Sequence, residues 1–163
     1  GVDTIAHLSA IESEGTTTFV LSYGILEFSL KKDFRDLPWQ KNILAVSQFH
    51  PKQKWQASNA MVRNKLVVSL SDAVVVAESG PEVDSEGKMS GTFDAGTNAL
   101  KLGVPLFVLS PASLPTEAIG NRELIKLGGI ELNPASAVDT ILSRLSNGQN
   151  AQPATKSQQE LFE

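Results

Sequence analysis

Ser90-Gly91-Thr92 sets two hydroxyls and a glycine immediately before a helical pattern. Such a turn can present free backbone amides and hydroxyl donors to an anion, a phosphate above all. The same triplet also reads as an ordinary serine N-cap with a glycine for a tight turn. A second pattern lies upstream. From Leu37 to Ser71 there is no Asp or Glu, while Lys41, Lys52, Lys54, Arg63 and Lys65 all fall inside the stretch. Trp39, Trp55, Phe49 and His50 are interleaved with them. Cations that neutralise phosphates, mixed with rings on which bases stack, suit single-stranded nucleic acid. The plainer reading is a solvated helix face beside aromatics that belong to the core.

Acid–base and nucleophilic machinery is thin. Glu82, Asp84 and Glu86 share one polar segment and read as solvated charges. His7 lies among Ile5, Ala6 and Leu8 and reads as a packed histidine rather than a catalytic one. No Gly-x-Ser-x-Gly, His-Glu-x-x-His or Walker lysine occurs. The chain has no cysteine and only two histidines, so disulfides, thiolate catalysis and a multi-histidine metal site drop out. No cofactor is expected.

The elements that position these residues alternate in type. Asp3 to Glu14 carries Ile5, Leu8 and Ile11 at helical spacing, with Asp3 available to cap the first turn. Thr16 to Leu21 is β-branched and apolar, a buried strand. Residues 27–40 show no clear period. Ile43 to Ser47 is a strand, Ala57 to Leu70 a long helix, and Ala73 to Ala77 the plainest strand. Apolar on consecutive positions, that last run should be covered on both faces, as strands of parallel sheets are. Gly80 to Met89 reads as a polar, acidic loop. Thr92 to Leu102 is helical and ends at Gly103. Leu106 to Leu109 is a strand, Asn121 to Leu127 a short helix, Ile130 to Leu132 a strand and Ala135 to Leu145 a final helix.

Strands alternating with helices imply an α/β three-layer sandwich with a mostly parallel sheet. Ligands in that architecture sit at the carboxyl ends of the strands, where helix N-termini present their amides. The loops in question follow Leu21, Ser47, Glu78 and Leu109. The 163 residues fit one domain over 1–146, followed by a polar, Gln/Asn-rich tail at 147–163 that reads as flexible. Hydrophobic residues make up 41% and charged residues 20%, which excludes a disordered chain or a collagen-like repeat. The net charge is −4 and the pI about 5.2, so any nucleic-acid contact must rest on a local patch. No apolar run approaches the ~20 residues of a membrane span, and the opening Gly1-Val2-Asp3-Thr4 is not a secretory signal. The expectation is a cytoplasmic domain without a membrane partner.

Taken in order, these pieces resemble the DNA-processing protein A (DprA/Smf) family. Gly1-Val-Asp-Thr-Ile-Ala-His7 is similar to its Gly-Ile-Asp-x-x-Ala-His run, and Ser47-Gln-Phe-His-Pro51 to its Ser-Glu-aromatic-Pro segment. Arg63-Asn64-Lys65 followed by Leu70 to Glu78 resembles its Arg-Asn-Arg-Ile-Ile…Leu-Ser-x-Ala-Val-x-Val-x-Glu core. Ser90-Gly91-Thr92, Gly103 to Pro111 and Gly120-Asn121…Ile125 with Gly128 follow in the family's order.

The resemblance implies a Rossmann-like fold that binds single-stranded DNA and loads the recombinase RecA during DNA uptake, natural transformation or recombination, without catalysis. It implies Arg63 as a phosphate contact, with Asn64 and Lys65 beside it. Ser90, Gly91 and Thr92 would line the same pocket, with Gly1 and Asp3 at its rim. Lys52, Lys54 and Trp55 are the further binding candidates from the acid-free stretch. A homodimer is a further expectation.

The family's Ser-Gly-x-Ala-Arg/Lys turn and its preceding strand would lie just before Gly1. The domain is therefore expected to be N-terminally incomplete, with a gap or an unusual sheet edge near Thr16–Leu21. Only one of the usual two basic residues precedes Asn64, because Val62 takes the other place. The runner-up function is a nucleotide-binding or nucleoside-monophosphate phosphoribohydrolase-like protein of the same broad fold, with Asp94 as the acid. In the tail, Gln158, Leu161 and Phe162 resemble the Gln-x-x-Leu-Phe peptide by which bacterial DNA-handling proteins dock on the sliding clamp. Packing of Leu161 and Phe162 on the domain is the other reading.

Overall fold

In the computed structural model the described residues are 1–29, 34–35 and 39–149. The order is α1 (Val2–Glu12), β1 (Thr17–Leu21), α2 (Trp39–Asn42), β2 (Ile43–Ser47), α3 (Ala57–Ser69) and β3 (Val74–Val76). There follow α4 (Gly91–Leu102), β4 (Leu106–Leu109), α5 (Ile119–Lys126), β5 (Ile130–Leu132) and α6 (Ala137–Gln149). Every strand pair is parallel, as the alternating pattern requires.

The sheet is split. β1 pairs with β2, in register from Thr17 opposite Ile43 to Leu21 opposite Ser47. β3, β4 and β5 form a separate sheet in that order. No ladder joins β1 to β3 among the described residues. The discontinuity expected near Thr16–Leu21 is therefore present.

The core lies under the second sheet. Leu106, Phe107 and Val108 are successive residues, and all are essentially inaccessible. Side chains alternate across a strand, so β4 is covered on both faces. Val68 of α3, Phe93 and Ala99 of α4 and Leu124 of α5 close around Val76, Leu106 and Val108. Gly96 lets α5 approach: a Cβ there would lie 2.8 Å from a Leu124 methyl. Gly103 ends α4 in the left-handed conformation (φ +70°), which glycine adopts without steric cost.

Asn121 fastens the strand ends. It is fully buried, accepts the Ser79 N–H (2.7 Å), and donates to the carbonyls of Ala77 (3.0 Å) and Leu109 (2.9 Å).

Several boundaries differ from the pattern. A 3₁₀ turn at Ile25–Glu27 and the four-residue α2 fall where no period shows. An isolated antiparallel bridge between Val83 and Met89 closes the acidic loop. α5 starts two residues earlier than expected, after Ala118 at positive φ. α6 runs to Gln149, three residues into the segment that reads as tail, because its i→i+4 ladder continues. Among the described residues no helix is long and apolar enough to cross a membrane.

Candidate functional site

The carboxyl ends of β1 and β3 converge on the first turn of α1. Asp3 and Thr4 line a cavity of about 270 Å³ with Val20 and Leu21. They also line a second of about 430 Å³ with Val76 and Ala77. Asp3 and Thr4 are common to both cavities, which lie at the carboxyl ends of β1 and β3, where parallel α/β proteins hold ligands.

The first cavity has an aromatic wall. β1 carries Phe19 beside α1, and the His7 ring lies on it with centroids 4.2 Å apart and 24° between planes. Phe34 stands edge-on to Phe19 at 5.1 Å, and Phe28 tilts against Phe19 at 6.2 Å. His7 Nδ1 and Thr17 Oγ1 share a hydrogen bond of 2.6 Å. Burial pushes the imidazole below its usual 6.5, opposed in part by the Asp3 carboxylate. The packed-histidine reading thus describes what the ring does, although His7 also lines the cavity.

Arg63 reaches this cavity from α3. Its Nη1 donates to the Val20 carbonyl at 3.0 Å, while its Nε is buried with no partner among the described residues. Asn64, the next residue, donates through Nδ2 to the Gly91 carbonyl at 3.1 Å, so it fixes the start of α4. Lys65 is exposed.

The second cavity is lined by Gly1, Val2, Glu78 and Thr92. Ser90 caps α4 by accepting the Phe93 N–H at 3.2 Å, so its hydroxyl is engaged as an N-cap. The amides of Gly91 and Thr92 open the helix and have no acceptor within it. Asp94, in the first turn of α4, has a buried Oδ2 with no partner among the described residues.

Lys52, Lys54 and Trp55 are exposed, Trp55 by 61%, and line neither cavity. Their turn is nevertheless tied to the loop after β1. Gly24 N–H donates to Gln53 O (2.8 Å) and Leu26 N–H to Pro51 O (2.9 Å). The Trp39 side chain, and Gln158, Leu161 and Phe162 of the tail, lie outside the described residues. No group of three or more potential metal ligands occurs among the described residues.

The aromatic wall is what sequence reasoning missed. Phe19, Phe28 and Phe34 come from a strand and the aperiodic stretch after it. The only local signal was Ser22-Tyr23-Gly24, a turn placed directly after a buried strand.

Fold and cavities together define a Rossmann-like α/β domain with these two cavities at the strand carboxyl ends. The chain belongs to the DNA recombination-mediator protein A family, whose pattern matches residues 1–146. It is 28% identical over 130 residues to DNA processing protein DprA of Streptococcus pneumoniae, covering 78% of this chain and 43% of that protein. The solved structure of DprA from the same organism superposes with a TM-score of 0.64 at 24% identity, over 86% of this chain and 47% of that one. DNA processing protein A from Helicobacter pylori, whose structure describes a single-stranded DNA binding mode, also gives 0.64, at 26% identity over 88% and 63%. The chain spans less than half the length of the curated relative it matches.

Proposed function

We propose that this domain binds single-stranded DNA across the carboxyl ends of its strands, without catalysis, and acts in DNA uptake or recombination. One observation carries the reading. Arg63 and an aromatic-lined cavity on one side, and Thr92 of the first turn of α4 on the other, flank the first turn of α1, where Asp3 and Thr4 line both cavities. A guanidinium and helix amides suit phosphates, and an aromatic recess suits bases. Lys52, Lys54, Lys65 and Trp55 are exposed outside both cavities and would supply further basic and aromatic contacts to a longer strand. Gly1 and Asp3 form the rim. The family and its DNA-binding relative from Helicobacter pylori support the same reading.

Fluorescence anisotropy with labelled oligonucleotides tests it. Single strands bind in preference to duplex, and log K falls linearly with log salt. Equal affinity for duplex, or a flat salt response, overturns it.

Delivery of a RecA-type recombinase to the bound strand is the partner role we infer from the family. Its readout is faster filament assembly on DNA coated with single-strand binding protein. A docking peptide at Gln158, Leu161 and Phe162 is the corresponding inference for the sliding clamp. A peptide spanning Lys156–Glu163 would bind purified clamp, and Leu161→Ala with Phe162→Ala would abolish it.

The unpartnered Oδ2 of Asp94 favours one second reading, a nucleoside-monophosphate phosphoribohydrolase. Release of free base from a nucleoside monophosphate, lost in Asp94→Asn, would replace the first reading with it.

A further inference from the structure

We propose that the tail segment Glu160-Leu161-Phe162-Glu163 docks on a platform made by the turns after β1 and β2, its apolar pair against Leu26 and Trp55 and its two carboxylates on Lys52 and Lys54. This contact stands apart from the single-strand reading and does not require it.

The two turns form one braced surface. Gly24 N–H donates to the Gln53 carbonyl at 2.8 Å, and Leu26 N–H to the Pro51 carbonyl at 2.9 Å. A Cβ at Gly24 would fall 2.2 Å from the Pro51 carbonyl oxygen and 2.3 Å from that of His50, so the turns touch backbone to backbone. Each is also closed on itself, by Glu27 N–H on the Gly24 carbonyl (3.0 Å) and Gln53 N–H on the His50 carbonyl (2.8 Å). This frame holds apolar groups out into water: Leu26 is 67% exposed, Trp55 61% and Ile25 40%. A single exposed apolar side chain needs no explanation, but three on two locked turns mark an interaction surface.

Charge narrows the occupant. Lys52 and Lys54 are both exposed in the second turn, and Glu27 is the one carboxylate on either turn. No Asp or Glu occurs from Leu37 to Ser71, so all 18 acidic residues of the chain lie elsewhere. The complementary ligand carries an apolar pair between two acids, and the sequence holds that run at Glu160-Leu161-Phe162-Glu163. Phe162 suits the face or edge of the Trp55 ring. Leu26 and Ile25 offer a base no stacking face, which favours a peptide over nucleic acid on this patch. From Gln149, the end of α6, to Glu160 the chain can span about 36–40 Å. A domain of this size has a radius of gyration of about 15 Å, so the tail has the reach. A DNA strand running this far would have to displace the tail, and the sliding-clamp reading draws on the same Leu161 and Phe162.

A charge swap tests the contact. The full chain carrying Leu161→Ala and Phe162→Ala, which vacates the platform, is titrated by anisotropy with a labelled Lys156–Glu163 peptide. The peptide is amidated, so its terminus adds no charge. It binds this variant more tightly than the wild-type chain, whose own tail competes. Adding Lys52→Glu and Lys54→Glu weakens it roughly three- to thirty-fold, the range for two surface ion pairs lost. A peptide carrying Glu160→Lys and Glu163→Lys recovers binding to that variant, and Leu26→Ser weakens the original peptide. Thermal melts check that each variant is folded. No peptide binding at millimolar concentration overturns the proposal, and so does equal affinity for the wild-type and tail-vacated chains. Binding indifferent to the lysine reversals, or not recovered by the swapped peptide, overturns it too. If the reversals weaken only an oligonucleotide, the patch belongs to nucleic acid and the proposal fails.

Discussion

Arg63 Nη1 donates to the carbonyl oxygen of Val20 at 3.0 Å, tying the middle of α3 to the carboxyl end of β1. The side chain expected to hold a phosphate is thus also a structural brace, and its two roles respond differently to substitution. Arg63→Ala should weaken single-strand binding for all sequences and lower the salt slope by about one unit, as a lost phosphate contact does. It should also destabilise the fold by ~1–3 kcal/mol, because the half-buried Val20 carbonyl loses its donor. Arg63→Lys should recover the slope but not the stability, since an ammonium lacks the planar fork. Titrations between about 50 and 200 mM salt, with urea unfolding of each variant, separate the two effects.

Gly91 and Gly120 should respond oppositely to the same added methyl. At Gly120 a Cβ would fall 1.9 Å from the Gly80 carbonyl oxygen, a backbone atom that cannot swing aside. Gly120→Ala should therefore cost several kcal/mol or prevent folding, in the range of severe overpacking. At Gly91 a Cβ would meet Asn64 Nδ2 at 3.7 Å and Met61 Sδ at 3.8 Å, which is ordinary contact. Gly91→Ala should melt at or slightly above the wild-type temperature. If DNA approaches the α4 amides, its affinity should still fall. Unchanged affinity would remove this turn from the binding face.

Asn121 should be among the least replaceable polar residues. Asn121→Leu removes three hydrogen bonds and leaves the Ser79 N–H and the Ala77 and Leu109 carbonyls without their partner. At ~1–3 kcal/mol for each buried group left unmatched, much of a typical domain's ~5–15 kcal/mol is at stake. Far-UV circular dichroism and urea unfolding read this directly. A loss under about 1 kcal/mol would mean that water replaces all three bonds.

His7 makes stability depend on pH. Its folded pKa lies below 6.5, so the unfolded chain binds the proton more readily. Stability contributed by the neutral ring is complete above about pH 6.5 and is lost as pH falls through the folded value. Denaturant midpoints should drop between neutral and mildly acidic pH, and the drop should shrink in His7→Gln. An identical profile in that variant would assign the dependence to another group.

Much of the frame was legible because it rests on local periodicity. Leu106 to Leu109 and Ala57 to Leu70 announce a covered strand and a long helix, and the structure forms them nearly as read. The split into β1–β2 and β3–β5 matches the discontinuity that the order of the family's motifs implies near Thr16–Leu21. Residues whose partners are distant in sequence were not legible. Asn121 stood in a motif, but its bonds reach residues 42 and 44 positions away, which no spacing rule encodes. Phe19, Phe28 and Phe34 form their wall only once the chain after β1 folds back. Arg63 and Asn64 both read as binding residues from their motif, yet each has a structural bond that the sequence does not disclose.

Those two residues also determine how force would pass through the domain. In a continuous sheet, strain on one strand spreads sideways along the hydrogen-bond ladder. Between β1 and β3 no ladder among the described residues carries it. Arg63 grips the β1 half through Val20, and Asn64, one residue on, grips the other half through Gly91. A helix turns about 100° per residue, so consecutive side chains can hold opposite neighbours. α3 therefore serves as a tie-rod across the seam. A DNA strand drawn over the carboxyl ends of β1 and β3 would load that rod at its midpoint.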